Sequence, residues 1–203
     1  PAVEPELTPI EETMACLAAL KEEGKVRAIG ISNVSIEQLD RYRVAGELAS
    51  HQCRYSMLFR APENDVLPYC AEHNVASICY MSLEQGLLTG KVGPDRIFNA
   101  GDWRANAEQW LPWFRRENRQ KLLDMFSGWQ DLLEHHNCTI AQLVIAWTAA
   151  QPGATHILCG LRTADQGIEA AGAAAILLSE SDVQRISSDL TALGNPVTEQ
   201  LGG

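Results

Sequence analysis

An α/β fold built on about four parallel strands is the architecture this sequence predicts, and three observations predict it. Short apolar runs of strand length recur at residues 26–31, 51–55, 76–80 and 156–159. Polar residues stand where these runs stop, as at Ser32-Asn33. A helix-like stretch opened by a capping residue then follows. The unit of strand, polar residue and capped helix occurs four times, which implies a parallel sheet with right-handed crossovers. Eight such units close a (β/α)8 barrel, so four amount to half of one.

Taken in order, residues 8–23 read as the first helix. Thr8 caps it, Pro9 suits its first turn, Glu11 completes a capping-box pattern, and Met14, Leu17, Ala18 and Leu20 form its apolar face. Gly24 ends it. The buried strand 26–31 delivers Ser32 and Asn33 to its C-terminal end, where parallel sheets meet their ligands. Ser35 with Gln38 repeats the capping pattern for a helix to about residue 46. Strand 51–55 carries Gln52, 65–72 reads as helix, and 76–80 as a third buried strand.

Residues 81–118 are rich in Gly, Asn, Arg and Trp. This stretch is too long for a passive loop and reads as a functional excursion or a partly helical segment. Residues 119–136 read as one helix, and Thr139 with Gln142 caps another that Pro152-Gly153 stops. After the fourth strand, Thr163 with Gln166 opens a helix, and 179–193 make a last amphipathic one. The tail at 194–203 reads as frayed and flexible. The whole of 1–203 is expected to form a single domain.

Composition narrows the partners. Lys and Arg total 16 against 26 Asp and Glu, for a formal net charge of −10 and a pI near 4.9. That argues against nucleic acid and anionic membrane surfaces. Six scattered cysteines without C-x-x-C spacing read as reduced core residues of a cytoplasmic chain. No apolar stretch is long enough to span a bilayer. Opening on Pro1 rather than Met suggests a processed or trimmed N-terminus. The histidines lack zinc-ligand spacing, and neither a G-x-S-x-G elbow nor a P-loop occurs, so no metal is expected.

One set of motifs is more specific. Gly24-Lys25-Val26-Arg27 with Gly30-Ile31-Ser32-Asn33, Gln52 with Tyr55-Ser56-Met57-Leu58-Phe59-Arg60, and Leu67-Pro68-Tyr69-Cys70 occur in that order. Tyr80 with Leu83, Gln85-Gly86-Leu87-Leu88-Thr89-Gly90-Lys91, Gly101-Asp102-Trp103-Arg104, and Gly160 with Arg162, Asp165-Gln166 and Glu169 follow. In this order and spacing the chain resembles the C-terminal half of an aldo-keto reductase, closest to the branch of bacterial inositol-cluster reductases. The resemblance implies an NADP(H) site. Ser32, Asn33 and Gln52 would hydrogen-bond the nicotinamide carboxamide, and Tyr80 would stack on its ring. Leu83, Gln85 and Gly86 would lie along the pyrophosphate. Gly160, Arg162, Gln166 and Glu169 would form the adenosine end, with Arg162 facing a 2′-phosphate.

Departures from the family pattern point to weakened or lost cofactor binding. Ser82 and Glu84 replace the usual Pro and small residue, and a carboxylate beside a pyrophosphate would repel it. Ala170 stands for an Asn that would contact adenine, and Gly167 weakens its helix turn. The family's Asp, Tyr, Lys and His for proton transfer lie on strands with no counterpart here, so no catalytic residue is assigned. The expectation is a truncated reductase inactive alone on small carbonyl substrates. The alternative is a non-catalytic half-barrel module that associates with itself as a homo-oligomer or with a complementing N-terminal half.

Overall fold

The computed structural model describes residues 8–198. Four strands form one parallel sheet in the order β1-β2-β3-β4: β1 is Gly30–Ser32, β2 Ser50–Arg54, β3 Ala76–Tyr80 and β4 His156–Ile157. The chain divides into two compact units. One contains the described residues up to Tyr55, Phe59–Tyr80 and Pro152–Ile157; the other contains Ser56–Leu58, Met81–Gln151 and the described residues from Leu158 onward.

The first unit is the sheet with α1 (Ile10–Glu22), α2 (Ile36–Ala45) and α3 (Val66–Glu72). Ile10, Met14 and Ile29 form one core cluster, and Leu39, Leu48, Cys70 and Val75 another. The inner strands alternate with the period of two that a strand imposes. His51, Cys53, Ser77 and Cys79 are buried, while Ser50, Gln52, Arg54, Ala76, Ile78 and Tyr80 on the opposite face remain half-exposed. The strands are therefore not buried on both faces as their apolar runs suggest.

Two starts differ from the sequence reading. Thr8 does not cap α1: Pro9 is the N-cap in an extended conformation without a side-chain bond, and its carbonyl accepts from Thr13 N–H at 3.0 Å. Strand β1 begins at Gly30 rather than 26. Gly24, at φ +73°, and Lys25 return their N–H groups to the Lys21 and Leu20 carbonyls at 3.0 Å each. That closure keeps the chain on α1 for two further residues. Val26 N–H also reaches the Leu20 carbonyl. The Ser35/Gln38 capping box forms in full, and β3 takes the expected bounds.

The second unit holds α4 (Arg116–Ser127), α5 (Gln130–His135), α6 (Ile140–Ala149), α7 (Ala164–Gly172) and α8 (Glu180–Leu193). Short 3-10 turns at Glu84–Thr89, Trp103–Gln109 and Pro112–Phe114 punctuate the excursion. The single helix expected over 119–136 is two helices. Between them Trp129 is fully buried and donates its Nε1–H to Asp189 on α8 at 2.8 Å. Burial of Leu143, Val144 and Trp147 makes α6 the centre of this unit. In the stretch after Gly194, Val197 N–H donates to Asn118 Oδ1 at 2.9 Å and its carbonyl accepts from Asn118 Nδ2 at 3.0 Å. The rest of the tail, 199–203, lies outside the described residues.

Among the described residues no helix is long and apolar enough to cross a membrane, and no cluster of His, Cys, Asp or Glu is built to hold a metal ion. All six cysteines are free: Cys53, Cys70 and Cys79 are core residues, Cys138 and Cys159 are partly buried, and Cys16 is exposed, contrary to its core reading.

Candidate cofactor site

In the first unit the residues read as nicotinamide-binding lie together at strand ends. Register pairs Ser32 with Gln52, and Gln52 with Ile78. Ser32 Oγ–H donates to the Gln52 carbonyl at 3.0 Å, and Asn33 N–H reaches the same carbonyl at 3.2 Å. Asn33 sits at φ +57°, a left-handed state that Asn tolerates better than most residues. Its Oδ1 accepts from the Tyr80 hydroxyl at 2.8 Å. Because Oδ1 is the acceptor, the amide nitrogen is the group that Asn33 presents outward. One carbonyl and one phenol thus hold two exposed polar side chains in a single arrangement.

In the second unit the backbone from Glu84 to Gly86 is left-handed at three successive residues, with φ +42°, +53° and +101°. For non-glycine residues such conformations cost about 1–3 kcal/mol each and cluster at functional sites. Arg104 braces this turn. Its Nη1 donates to the Gln85 carbonyl at 2.9 Å while Nε and Nη2 fork onto Asp102 at 2.9 and 2.5 Å. The Arg104 guanidinium holds the Asp102 carboxyl well below the usual carboxylate range. Arg162 Nη1 lies 3.8 Å from the same carboxylate, with its side chain 68% exposed. Asp102 thus links the Gln85-Gly86 turn to Arg162.

At the far end Gln166 N–H donates to Thr163 Oγ1 at 3.3 Å, but its side chain accepts from Arg162 N–H at 2.8 Å rather than closing on Thr163. Glu169 accepts from Thr139 Oγ1 at 2.8 Å and pairs with Lys91 at 3.3 Å. Leu83 adds its carbonyl, which accepts from Gly86 N–H at 2.9 Å. Glu84 departs most from the sequence reading. Its side chain is 3% exposed and accepts from Ser56 Oγ at 2.7 Å, so the carboxylate points into the protein. Ser82 is likewise turned inward, donating to the Leu158 carbonyl at 2.8 Å.

Within the second unit the residues fit the phosphate-bearing part of a dinucleotide: the turn at 84–86 presents backbone without a projecting carboxylate, and a Cβ added at Gly160 would meet nothing within 4 Å. Gln85 Oε1 is buried without a partner among the described residues. The sequence pattern of the aldo/keto reductase family matches residues 2–190. The chain belongs to the aldo/keto reductase family. It is 42% identical over 181 residues to an NADH-specific methylglyoxal reductase of Escherichia coli, covering 89% of this chain and 54% of the relative. An aldo-keto reductase of Bacillus subtilis is 32% identical, over 97% of this chain and 57% of its own. A glycerol dehydrogenase structure from Gluconobacter oxydans superposes with a TM-score of 0.84 at 29% identity, over 98% of this chain and 60% of that one.

The chain therefore spans about half the length of the curated relatives it matches. None of the three names refers to an inositol cluster, so the assignment stops at the family. In the sequence, Asp102, Arg104 and Lys91 stand only as parts of motifs. Their roles in bracing the turn and holding Glu169 become visible in the hydrogen bonds.

Proposed function

We propose that this chain is the cofactor-binding, C-terminal half of an aldo/keto reductase barrel, which holds a nicotinamide dinucleotide for reduction of a small aldehyde or ketone. The observation that carries this reading is the Ser32–Gln52–Asn33–Tyr80 cluster, which presents an amide donor and an aromatic ring from the ends of β1 and β3. Asn33, with Ser32 and Gln52, fixes the carboxamide of the ring, and Tyr80 stacks against it. Leu83, Gln85 and Gly86 line the pyrophosphate; Gly160, Arg162, Gln166 and Glu169 take the adenosine end. When bound, the dinucleotide supplies hydride to the carbonyl carbon. With Glu84 turned inward onto Ser56, its carboxylate does not project toward the pyrophosphate, which favours retention of the cofactor.

NADP(H) is the primary reading because Arg162 is exposed and has the geometry to fork onto a phosphate. A second reading, NAD(H), is favoured by the Asp102 carboxylate 3.8 Å from Arg162, which competes with a 2′-phosphate, and by the name of the 42% identical relative. No residue of this chain is assigned to proton transfer. Turnover therefore needs residues supplied from a complementing N-terminal half, and the half-exposed sheet face is the natural seat for it. Association with a second copy would cover the same face. Methylglyoxal with NADPH or NADH, followed at 340 nm, tests the reading. The expected result is cofactor binding without steady turnover by the chain alone. Steady turnover would show that the chain carries its own proton donor.

A further inference from the structure

Met81 leads into the strained turn of the second unit. It sits at φ +60°, a left-handed state that few residues other than glycine adopt, and its carbonyl accepts from Glu84 N–H at 2.8 Å. That closure brings its side chain to Gln85, whose Nε2–H donates to Met81 Sδ at 2.9 Å. The two ends of Gln85 are held differently. Its backbone carbonyl is fixed by the Arg104 guanidinium at 2.9 Å, whereas its side-chain donor rests on a thioether, a weak acceptor.

Met81 is also the accessible methionine of the chain. It is 39% exposed, against 1% for Met14 and 2% for Met57, and Met125 is half-buried. A weakly held amide donor is free to exchange its sulfur for a better acceptor. A phosphate oxygen is such an acceptor, because a hydrogen bond to a charged group is about twice as strong as one between neutral groups.

We propose that Met81 is a modification site, oxidised by a hydroperoxide to the sulfoxide, and that the oxidised form lowers dinucleotide affinity through Gln85. This rests on the reading of Gln85 as a residue along the pyrophosphate. In the step itself the Sδ lone pair attacks one peroxide oxygen, the O–O bond breaks, an S–O bond forms, and the departing oxygen leaves as water with both protons of hydrogen peroxide. Sulfur loses two electrons and the peroxide gains two. The product is polar where the thioether was apolar, and its oxygen is a strong acceptor that retains Gln85 Nε2–H against the phosphate. Methionine sulfoxide reductases reverse the change.

The test uses the chain with Cys16→Ser, which removes the exposed thiol. It is treated with hydrogen peroxide, cleared with catalase, mapped by peptide mass spectrometry and titrated with NADPH by fluorescence. Met81 should gain one oxygen before the other methionines, and affinity should fall about three- to tenfold, returning after treatment with a methionine sulfoxide reductase. Met81→Leu should bind NADPH as the untreated chain does and lose nothing to peroxide. Met81→Gln, which offers an amide carbonyl in place of the thioether, should show the loss without peroxide. Gln85→Ala should bind weakly at the outset and no more weakly once Met81 is oxidised. Oxygen at Met81 with unchanged affinity, or an equal loss in Met81→Leu, would overturn the regulation and leave the dinucleotide site standing. No NADPH binding by the untreated chain would overturn the site and the regulation with it.

Discussion

Gly153→Ala is the substitution whose cost can be worked most directly from the structure. Gly153 follows α6 and leads into β4, at φ +85°. An added Cβ would stand 2.5 Å from the Leu67 carbonyl oxygen and 2.9 Å from its carbon. Those are backbone atoms at the start of α3, so relief requires moving the helix or the turn. The left-handed conformation costs an alanine about 1–2 kcal/mol, and forced overpacking about 1–3 kcal/mol. Together they amount to about 2–5 kcal/mol.

Gly24→Ala is the control. It has φ +73°, but its Cβ would meet nothing within 4 Å, so only the conformational part remains, about 1–2 kcal/mol. With a urea m-value of about 2 kcal/mol/M, the midpoint should fall by about 1–2.5 M for Gly153→Ala and about 0.5–1 M for Gly24→Ala. Urea unfolding of both variants, followed by circular dichroism, measures the difference. Equal shifts would refute the close approach of the turn to α3.

Other outcomes follow from the same contacts. Tyr80→Phe keeps the ring and removes the bond to Asn33, so NADPH affinity should fall by about two- to tenfold; Tyr80→Leu should lose more, and equal losses in a fluorescence titration would remove the stacking role. Trp129→Phe leaves Asp189 without its buried donor and should cost about 1–3 kcal/mol in thermal unfolding. Acid should destabilise the fold. The carboxyls of Asp102 beside Arg104 and Asp131 beside Arg185 are lowered. At Asp182 burial raises the pKa, but hydrogen bonds from Ser179 and the nearby His136 outweigh it, for a net lowering. A depressed folded-state pKa contributes stability above the unfolded value that is lost as pH falls through the folded one, here below about pH 5. Asp182→Asn should flatten that acid limb in unfolding scans, and an unchanged limb would exclude it as a contributor.

Local signals were legible in the sequence where both partners lie within a few residues. The Ser35/Gln38 and Thr139/Gln142 capping boxes form as written, and β3 has the bounds its apolar run implies. Features decided by distant partners were not. At the helix break, Trp129 is held by Asp189, 60 residues away. Glu84 reads as a hostile charge until Ser56, 28 residues earlier, is seen to hold it inside. The late start of β1 comes from the way Gly24 and Lys25 close onto α1, a geometry that apolar periodicity does not encode. For the site, the motifs named the residues of each unit, while the braces on them, Arg104 on the Gln85 carbonyl and Tyr80 on Asn33, are tertiary.

The measurement that bears most directly on the central claim is titration of the purified chain with NADPH, followed by tryptophan and tyrosine fluorescence, on the native sequence and on Arg162→Ala. Saturable binding, weakened about tenfold or more by the substitution, is the predicted result. Absence of binding at about millimolar NADPH, a level at which affinity would be only about −4 kcal/mol, would contradict a dinucleotide half-site, and the chain would then be read as an assembly module.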